Sequence, residues 1–281
     1  MNIIDGATAA KQIKQGLKEV NQSRRQTPGL AIIVVGENPD SLLYANLKEK
    51  AMQEIGGKAW KVLLPEVIAE AEILSVIYEL NAQDNTHGII VLLPLPPELQ
   101  PKKDIFLSAI DPLKDVDGFH PQNRGLLIGG RPAFISCAAR SAMDIIKDNV
   151  SPLSGKKILL AGDSFDLCMP LSILLGQHGC KVMILPDFEK EALDWCEVAV
   201  IENGYAGMIK KCKITGVELI IDAGFYYVNG RPAGNIDAST IEFEGSLAPV
   251  PGGLGPILIA QLLKNVTEAC VKQNGHGLME L

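Results

Sequence analysis

The chain has 281 residues, 47% of them hydrophobic, with 26 Lys and Arg against 33 Asp and Glu, 27 Gly and 17 Pro, which excludes disorder, collagen and coiled coil. A formal net charge of −7 with the basic residues scattered gives no electrostatic reason to bind a polyphosphate backbone, so no nucleic-acid partner is expected. At this length two cores are expected rather than one, because domains usually stop growing near ~250 residues and cluster at ~100–150.

In chain order, Ala10, Ile13, Leu17 and Val20 recur at helical spacing and lead into Leu30 to Val35, a continuous apolar run closed by Gly36 that reads as a buried strand. A second helix is predicted to start near Pro39-Asp40-Ser41, where an acidic or hydroxyl cap beside proline suits a helix N-terminus, and to stop at Gly56-Gly57. A strand over 58–64, a helix over 69–80 and a strand over 88–93 complete a β-α-β-α-β pattern. Pro94-Leu95-Pro96-Pro97 can continue neither helix nor ladder, so a wide loop region is expected from there to Asp115-Val116-Asp117-Gly118-Phe119-His120.

A helix over 138–148 opens a second unit, with a strand over 157–161, a loop from Gly162 to Cys168 and a helix opened by Met169-Pro170. Strands over 181–185, 197–201 and 218–222 follow, and the chain closes with Pro249-Val250-Pro251-Gly252-Gly253-Leu254-Gly255-Pro256 and an apolar-faced helix over 257–271. Short apolar runs alternating with helices predict α/β domains with parallel sheets covered on both faces and ligands beyond the strand C-termini. The second unit is read as Rossmann-like.

The apolar stretch from Gly88 to Leu93 is strand length, against the ~20 residues of a membrane span. Met1-Asn2-Ile3-Ile4-Asp5 carries no signal-like pattern, so a cytoplasmic protein without membrane attachment is expected. Cys137, Cys168, Cys180, Cys196, Cys212 and Cys270 form no CxxC pair, and His87, His120, His178 and His276 show no HxxxH spacing; neither a metal site nor a redox dithiol is expected.

Tyr44 and Lys48, four residues apart on a predicted helix, share one face. On an ordinary surface helix such a pair is merely solvated, but this helix follows the first strand, at the sheet edge where open α/β folds bind ligands. A lysine beside a phenol in a partly dry cleft is suited to proton exchange. Asp115 and Asp117 lie in a loop bounded by Pro and Gly, where a carboxylate either accepts paired hydrogen bonds from an amidine-like heterocycle edge or bonds its own turn. Gly252-Gly253 lets backbone approach a flat ligand, or simply makes a tight turn. The Gly162-Asp163-Ser164 turn is where a dinucleotide diphosphate meets a helix N-terminus, although it is not GxGxxG.

In order and at matching separations, Ser41-x-x-Tyr44-x-x-x-Lys48-x-Lys50, Gly88-Ile-Ile-Val-Leu-Leu-Pro-Leu-Pro96, Lys114-Asp-Val-Asp-Gly-Phe-His-Pro121 with Asn123 and Gly125, and Pro249-Val-Pro-Gly-Gly-Leu-Gly-Pro256 resemble the methylenetetrahydrofolate dehydrogenase/methenyltetrahydrofolate cyclohydrolase family of one-carbon metabolism. The resemblance covers nearly the whole chain. It implies an N-terminal folate-type catalytic domain of residues 1–143 plus 254–281, an inserted Rossmann-like NAD(P)-binding domain of residues 144–253, and a homodimer through the nucleotide domains. The implied chemistry is oxidation of 5,10-methylenetetrahydrofolate to 5,10-methenyltetrahydrofolate with NADP or NAD, and hydrolysis to 10-formyltetrahydrofolate. Lys48 would be the catalytic lysine, Tyr44 would position the pterin, and Asp117 would hold its edge. Leu92, Pro251, Gly252 and Gly253 would line the folate site, and Gly162, Asp163, Ser164, Asp187 and Phe225 the cofactor site.

The departures from the family pattern are local. Leu92 stands where the family has a glutamine that orients the lysine, which predicts weakened hydrolysis. Within Gly162-Asp163-Ser164-Phe165-Asp166-Leu167-Cys168-Met169-Pro170, Asp163 replaces an arginine, Cys168 replaces a glycine, and Asp166 adds charge. A carboxylate repels a phosphate charge by ~1 kcal/mol at 4 Å in water and ~4 at an effective dielectric of 20. Asp187 after the next strand suits a free ribose hydroxyl better than a phosphate. Ser136-Cys137-Ala138-Ala139 and Ala248 alter two further landmarks. NAD, NADP and no dinucleotide stay open on these residues, and the alternative to an enzyme is a diverged paralogue that binds folate or nucleotide without turnover.

Overall fold

The computed structural model describes residues 1–275. In chain order the elements are β1 (Asn2–Ile3), α1 (Gly6–Arg24), β2 (Gly29–Val35), α2 (Pro39–Glu54), β3 (Lys58–Leu64), α3 (Glu70–Asn81), β4 (Gly88–Val91), α4 (Lys103–Ala109), α5 (Pro121–Ile128), α6 (Cys137–Asn149), β5 (Lys157–Ala161), α7 (Cys168–Gln177), β6 (Lys181–Leu185), β7 (Val198–Ile201), β8 (Lys213–Ile214), β9 (Leu219–Asp222), β10 (Tyr226–Val228), β11 (Arg231–Ala233), β12 (Glu242–Phe243), β13 (Ser246–Ala248) and α8 (Leu254–Gln273). The chain divides into two compact units, one of Lys11–Ile135 with the segment from Ile259, the other of Met1–Ala10 with Ser136–Leu258.

The first unit is built on a parallel sheet of order β3-β2-β4. Every residue of β2 is buried, as a continuous Leu-Ala-Ile-Ile-Val-Val run requires of a central strand covered on both faces. One face packs Ala31, Ile33, Val35, Ile89 and Val91 against Ile73 and Ile77 of α3 and Phe106 and Leu107 of α4. Two expectations need correction. The ladder of β4 ends at Val91 rather than Leu93, and the region after Pro94 is not all loop, because α4 fills part of it and contributes the fully buried Phe106. Helix α4 carries few periodic positions, so its short apolar face does not stand out from sequence.

The second unit is a parallel sheet of order β1-β13-β9-β7-β5-β6. Successive strands β5, β6 and β7 reverse direction of growth at β5, which has β6 on one side and β7 on the other; this is the topological switch point of a doubly wound sheet. Its core gathers Leu159, Ala161, Ala199, Ile201, Ile220 and Leu247. The two-residue β1 and three-residue β13 were invisible to periodicity, being shorter than the repeat that would reveal them.

By length and composition α8 could cross a membrane, which the strand-length reading of the apolar stretches did not anticipate; 67% of its most apolar window is buried inside the protein, as in a core helix. Its Asn265 donates to the Val116 carbonyl at 2.8 Å and its Gln273 to the His87 carbonyl at 2.9 Å. Among the described residues no group of three or more His, Cys, Asp or Glu is placed to hold a metal, and His276 lies outside them. All six cysteines are free thiols.

Gly88 shows why the first unit needs a bare backbone at the start of β4: a Cβ there would stand 2.8 Å from both Cγ atoms of Val116. Gly88→Ala is expected to lower stability by about 1–3 kcal/mol through overpacking. Urea unfolding checks this, and the added substitution Val116→Ala should restore part of the loss; a midpoint unmoved by Gly88→Ala would contradict the packing account.

Candidate active site

In the first unit, β2 ends at Val35 and Gly36 turns the chain with φ +84° while its N–H reaches the Leu64 carbonyl at 2.9 Å. Asn38, not Asp40 or Ser41, caps α2: its side-chain oxygen accepts from the N–H groups of Asp40 at 2.9 Å and Ser41 at 3.2 Å, with Pro39 in the first turn. The helix thus begins directly beyond the C-terminal end of the central strand. Tyr44 lies on its exposed side, and Lys48, one turn on, is half-buried and makes no hydrogen bond or ion pair with the described residues. Leu92, immediately after β4, is 8% exposed and is tied down by its N–H to the Ile33 carbonyl at 3.0 Å.

Asp117 is placed by the residues around it. Asp115 forms a parallel bridge with Ile89, so the chain beyond it runs along β4 toward the same C-terminal edge. The Asp115 carboxylate, 1% exposed, accepts hydrogen bonds from the N–H groups of Phe119 at 3.0 Å and His120 at 2.8 Å and from the Asn123 amide at 2.8 Å. Burial outweighs these bonds and pushes its pKa up to about 6. Lys114 is likewise structural: its ammonium donates to the carbonyls of Asn81 at 2.7 Å and Gln83 at 2.8 Å, closing the C-terminal end of α3. Of the two loop carboxylates, Asp115 is the one that bonds its own turn, and Asp117 is the half-exposed one.

In the second unit the Gly252-Gly253 turn has a split role. The Gly6 N–H donates to the Gly252 carbonyl at 2.9 Å, and a Cβ on Gly253 would stand 2.6 Å from the Ala248 carbonyl carbon, so the second glycine is demanded by the fold. Gly252, exposed with φ +104° and open space around it, and the exposed Pro251 are the residues free to meet a ligand.

The crevice at the switch point lies between the ends of β5 and β7. Gly162 follows β5 with φ +153°, and a Cβ there would fill the cradle, meeting Glu202 Oε2 at 2.5 Å and Cys168 Sγ at 3.0 Å. Ser164 Oγ accepts from the N–H groups of Leu167 at 3.1 Å and Cys168 at 3.2 Å and so opens α7. A glycine turn running into a helix N-terminus is the backbone that receives a dinucleotide diphosphate, and in that respect the site fits NAD(P). Asp163 is exposed at its mouth, Asp187 is exposed beyond β6, and Phe225 is exposed beyond β9, its ring edge-on to Tyr227 at 5.4 Å.

Glu202 was missed from sequence because it reads as the residue ending an apolar strand; the signal available was its position next to the switch point. Cys168, in place of a family glycine, is buried, and burial with the facing carboxylates pushes its thiol far up, so it is inert packing. Asp222, ending β9, is fully buried and accepts from the N–H groups of Gly224 at 3.2 Å, Asn235 at 3.0 Å and Ile236 at 2.9 Å, yet burial still pushes its pKa up to about 6.

Residues 4–117 match the catalytic domain, and residues 136–274 the NAD(P)-binding domain, of the tetrahydrofolate dehydrogenase/cyclohydrolase family. A bifunctional FolD protein of Syntrophomonas wolfei is 43% identical over 272 residues, spanning 96% of this chain and 98% of the relative. The crystal structure of the FolD methylenetetrahydrofolate dehydrogenase/cyclohydrolase from Campylobacter jejuni, 32% identical, matches with a TM-score of 0.86 across 97% of this chain and 99% of its own. That of the Trypanosoma brucei enzyme, complexed with NADP and an inhibitor, is 28% identical with a TM-score of 0.85 over 98% of both chains.

The raised pKa of Asp222 sets a sign for stability. Between the ordinary carboxylate value and about 6 the folded chain holds a proton the unfolded chain has released, so this contribution is present in acid and is lost as pH rises through about 6. Asp222→Asn is expected to remove on the order of 2 kcal/mol of that pH dependence. Denaturant unfolding of both proteins at about pH 4.5 and 7.5 checks it; the same pH slope with and without the carboxyl would refute it.

Proposed function

The chain belongs to the tetrahydrofolate dehydrogenase/cyclohydrolase family, and from that footing we propose that it oxidises 5,10-methylenetetrahydrofolate to 5,10-methenyltetrahydrofolate and hydrolyses the product to 10-formyltetrahydrofolate. The observation that carries the proposal is Lys48, a half-buried ammonium with no partner among the described residues, one turn from Tyr44 beyond the end of the central strand. A lysine that no described side chain engages, at the ligand edge of a parallel sheet, is left to meet a substrate there.

In this reading the Asp117 carboxylate accepts hydrogen bonds from the amidine-like edge of the pterin, and the Tyr44 ring lies against its face. Lys48 moves the proton as water adds to the methenyl carbon. In the second unit Pro251 and Gly252 present exposed backbone that a flat ligand can approach closely, while Gly253 serves the turn itself. Gly162, Asp163, Ser164, Asp187 and Phe225 would hold NAD(P), which when bound accepts the hydride leaving the methylene carbon. Support for a second copy comes from β6, an edge strand of the six-stranded sheet with an unpaired outer side, and we place the homodimer contact there. Light scattering should report twice the chain mass; a monomer at working concentration would reject it.

Leu92 makes hydrolysis the weaker step. A leucine cannot hydrogen-bond the lysine, and a hydrogen bond to a charged group is worth roughly 1.5–3 kcal/mol, about 10- to 100-fold in rate. Leu92→Gln is therefore expected to raise methenyltetrahydrofolate hydrolysis by about 10- to 100-fold with little change in dehydrogenation, whereas Lys48→Ala should lower hydrolysis by at least about 100-fold. Absorbance assays of methenyltetrahydrofolate formation and decay measure both. Full hydrolysis after Lys48→Ala would overturn the assignment of the lysine, and a Leu92→Gln protein no faster than the parent would overturn the account of Leu92.

A further inference from the structure

Where a dinucleotide diphosphate would meet the second unit the chain has set a carboxylate of its own, and we infer that Glu202 governs cofactor occupancy by competing with the diphosphate for the Gly162 cradle. The inference rests on the reading of this unit as the NAD(P) site and adds to it the residue that controls entry.

The placement is rigid. Gly162 is the first residue after β5 and Glu202 the first after β7, the two strands flanking the switch point. The N–H groups of Glu202 and Asn203 both donate to the Ala161 carbonyl, at 2.8 and 3.1 Å, and pin the backbone of Glu202 beside the glycine turn. Its Cβ and Oε2 lie 2.9 and 2.5 Å from where a Gly162 side chain would begin, so the space that the glycine leaves open is already taken. Oε2 is buried and no donor meets it in good hydrogen-bond geometry, although Ser164 and Cys168 lie close enough to act on the carboxylate. A carboxylate oxygen in that state is badly solvated and gains by accepting a proton or by swinging out.

The groups that face it leave it so. The Ser164 hydroxyl and N–H and the Cys168 thiol favour its charged form; burial and Asp166 oppose it and prevail, raising its pKa. Asp163 and Asp166 also act on Cys168, and Tyr226, which feels both Asp222 and Glu202, donates its hydroxyl to the Glu202 carbonyl at 3.5 Å. The leading influences on Glu202 include no cation. An incoming diphosphate raises the pKa of Glu202 further, so binding takes up a proton. Affinity therefore falls as pH rises above the ionisation of Glu202 in the free protein, by up to about tenfold per pH unit.

The experiment is calorimetric titration of the full chain with NAD between about pH 5.5 and 8.5, for the parent, Glu202→Gln and Glu202→Ala. NAD is the probe because the 2′-phosphate of NADP itself titrates near pH ~6, as phosphate monoesters do. The expected result is NAD binding about 10- to 100-fold tighter in Glu202→Gln at pH 8, with most of the pH slope gone and adenosine, which lacks phosphate, binding all three proteins alike. Glu202→Ala, which does not rely on an amide fitting the space, should behave the same way. NAD binding equal to the parent in both variants at every pH would overturn the inference and leave the proposed reaction standing. Failure of all three proteins to bind either NAD or NADP would overturn the inference together with the dehydrogenase reading on which it rests.

Discussion

The candidate folate site depends on one buried carboxylate that is not part of it. Asp115 sits almost entirely out of water and holds the N–H groups of Phe119 and His120 together with the Asn123 amide. Asn123 passes the constraint on, donating also to the Pro112 carbonyl at 2.9 Å and accepting from the Ala133 N–H at 3.2 Å. The segment from residue 111 to 133, α5 included, is thereby folded about a single group, and Asp117, two residues away, takes its position from that arrangement. Removing one member of such a set leaves the others buried and unsatisfied, at about 1–3 kcal/mol each. The bonds therefore specify geometry even though desolvation makes the Asp115 charge itself costly.

This division of labour explains why the motif around Asp117 is long. Lys114 closes α3, Asp115 and Asn123 hold the loop, Gly88 gives Val116 room, and the Asn265 side chain fixes the Val116 carbonyl. Of residues 114 to 118 Asp117 alone is half-exposed, at the edge where a ligand would arrive; the others are buried. From sequence the carboxylates at 115 and 117 look equivalent, since both stand in a loop rich in turn formers; burial separates them, Asp115 being 1% exposed and Asp117 half-exposed.

What could be read in the sequence is what depends on period and on punctuation. The run Leu30 to Val35, the helix through Tyr44 and Lys48, and the strands at 157–161 and 181–185 have apolar patterns long enough to declare themselves, and the structure has them with nearly the same limits. The short elements were lost. β1 finds its partner β13 more than 240 residues away, a pairing that no local pattern encodes. Tertiary context likewise decided the cap of α2, where Asn38 bonds two N–H groups just ahead of the residues whose composition had suggested the role. Glu202 belongs with these: as a residue after an apolar strand it is unremarked, and it acquires meaning from a glycine forty positions earlier.

The second unit shows how far a backbone and its charges can be selected apart. The switch point, the glycine turn and the start of α7 are main-chain features, fixed by apolar strands and by Ser164 accepting two N–H groups, and they keep the form that receives a diphosphate. The side chains at the same spot are Asp163, Asp166 and Glu202. A helix N-terminus attracts an anion by ~0.3–1 kcal/mol at an exposed site and up to ~2 when partly buried, whereas one carboxylate near a phosphate at an effective dielectric of 20 repels it by ~4 kcal/mol at 4 Å. The repulsive side is therefore the larger while the carboxylate nearest the cradle is ionised. Neutralising that one group brings the balance back within reach of the backbone, and burial already works in that direction.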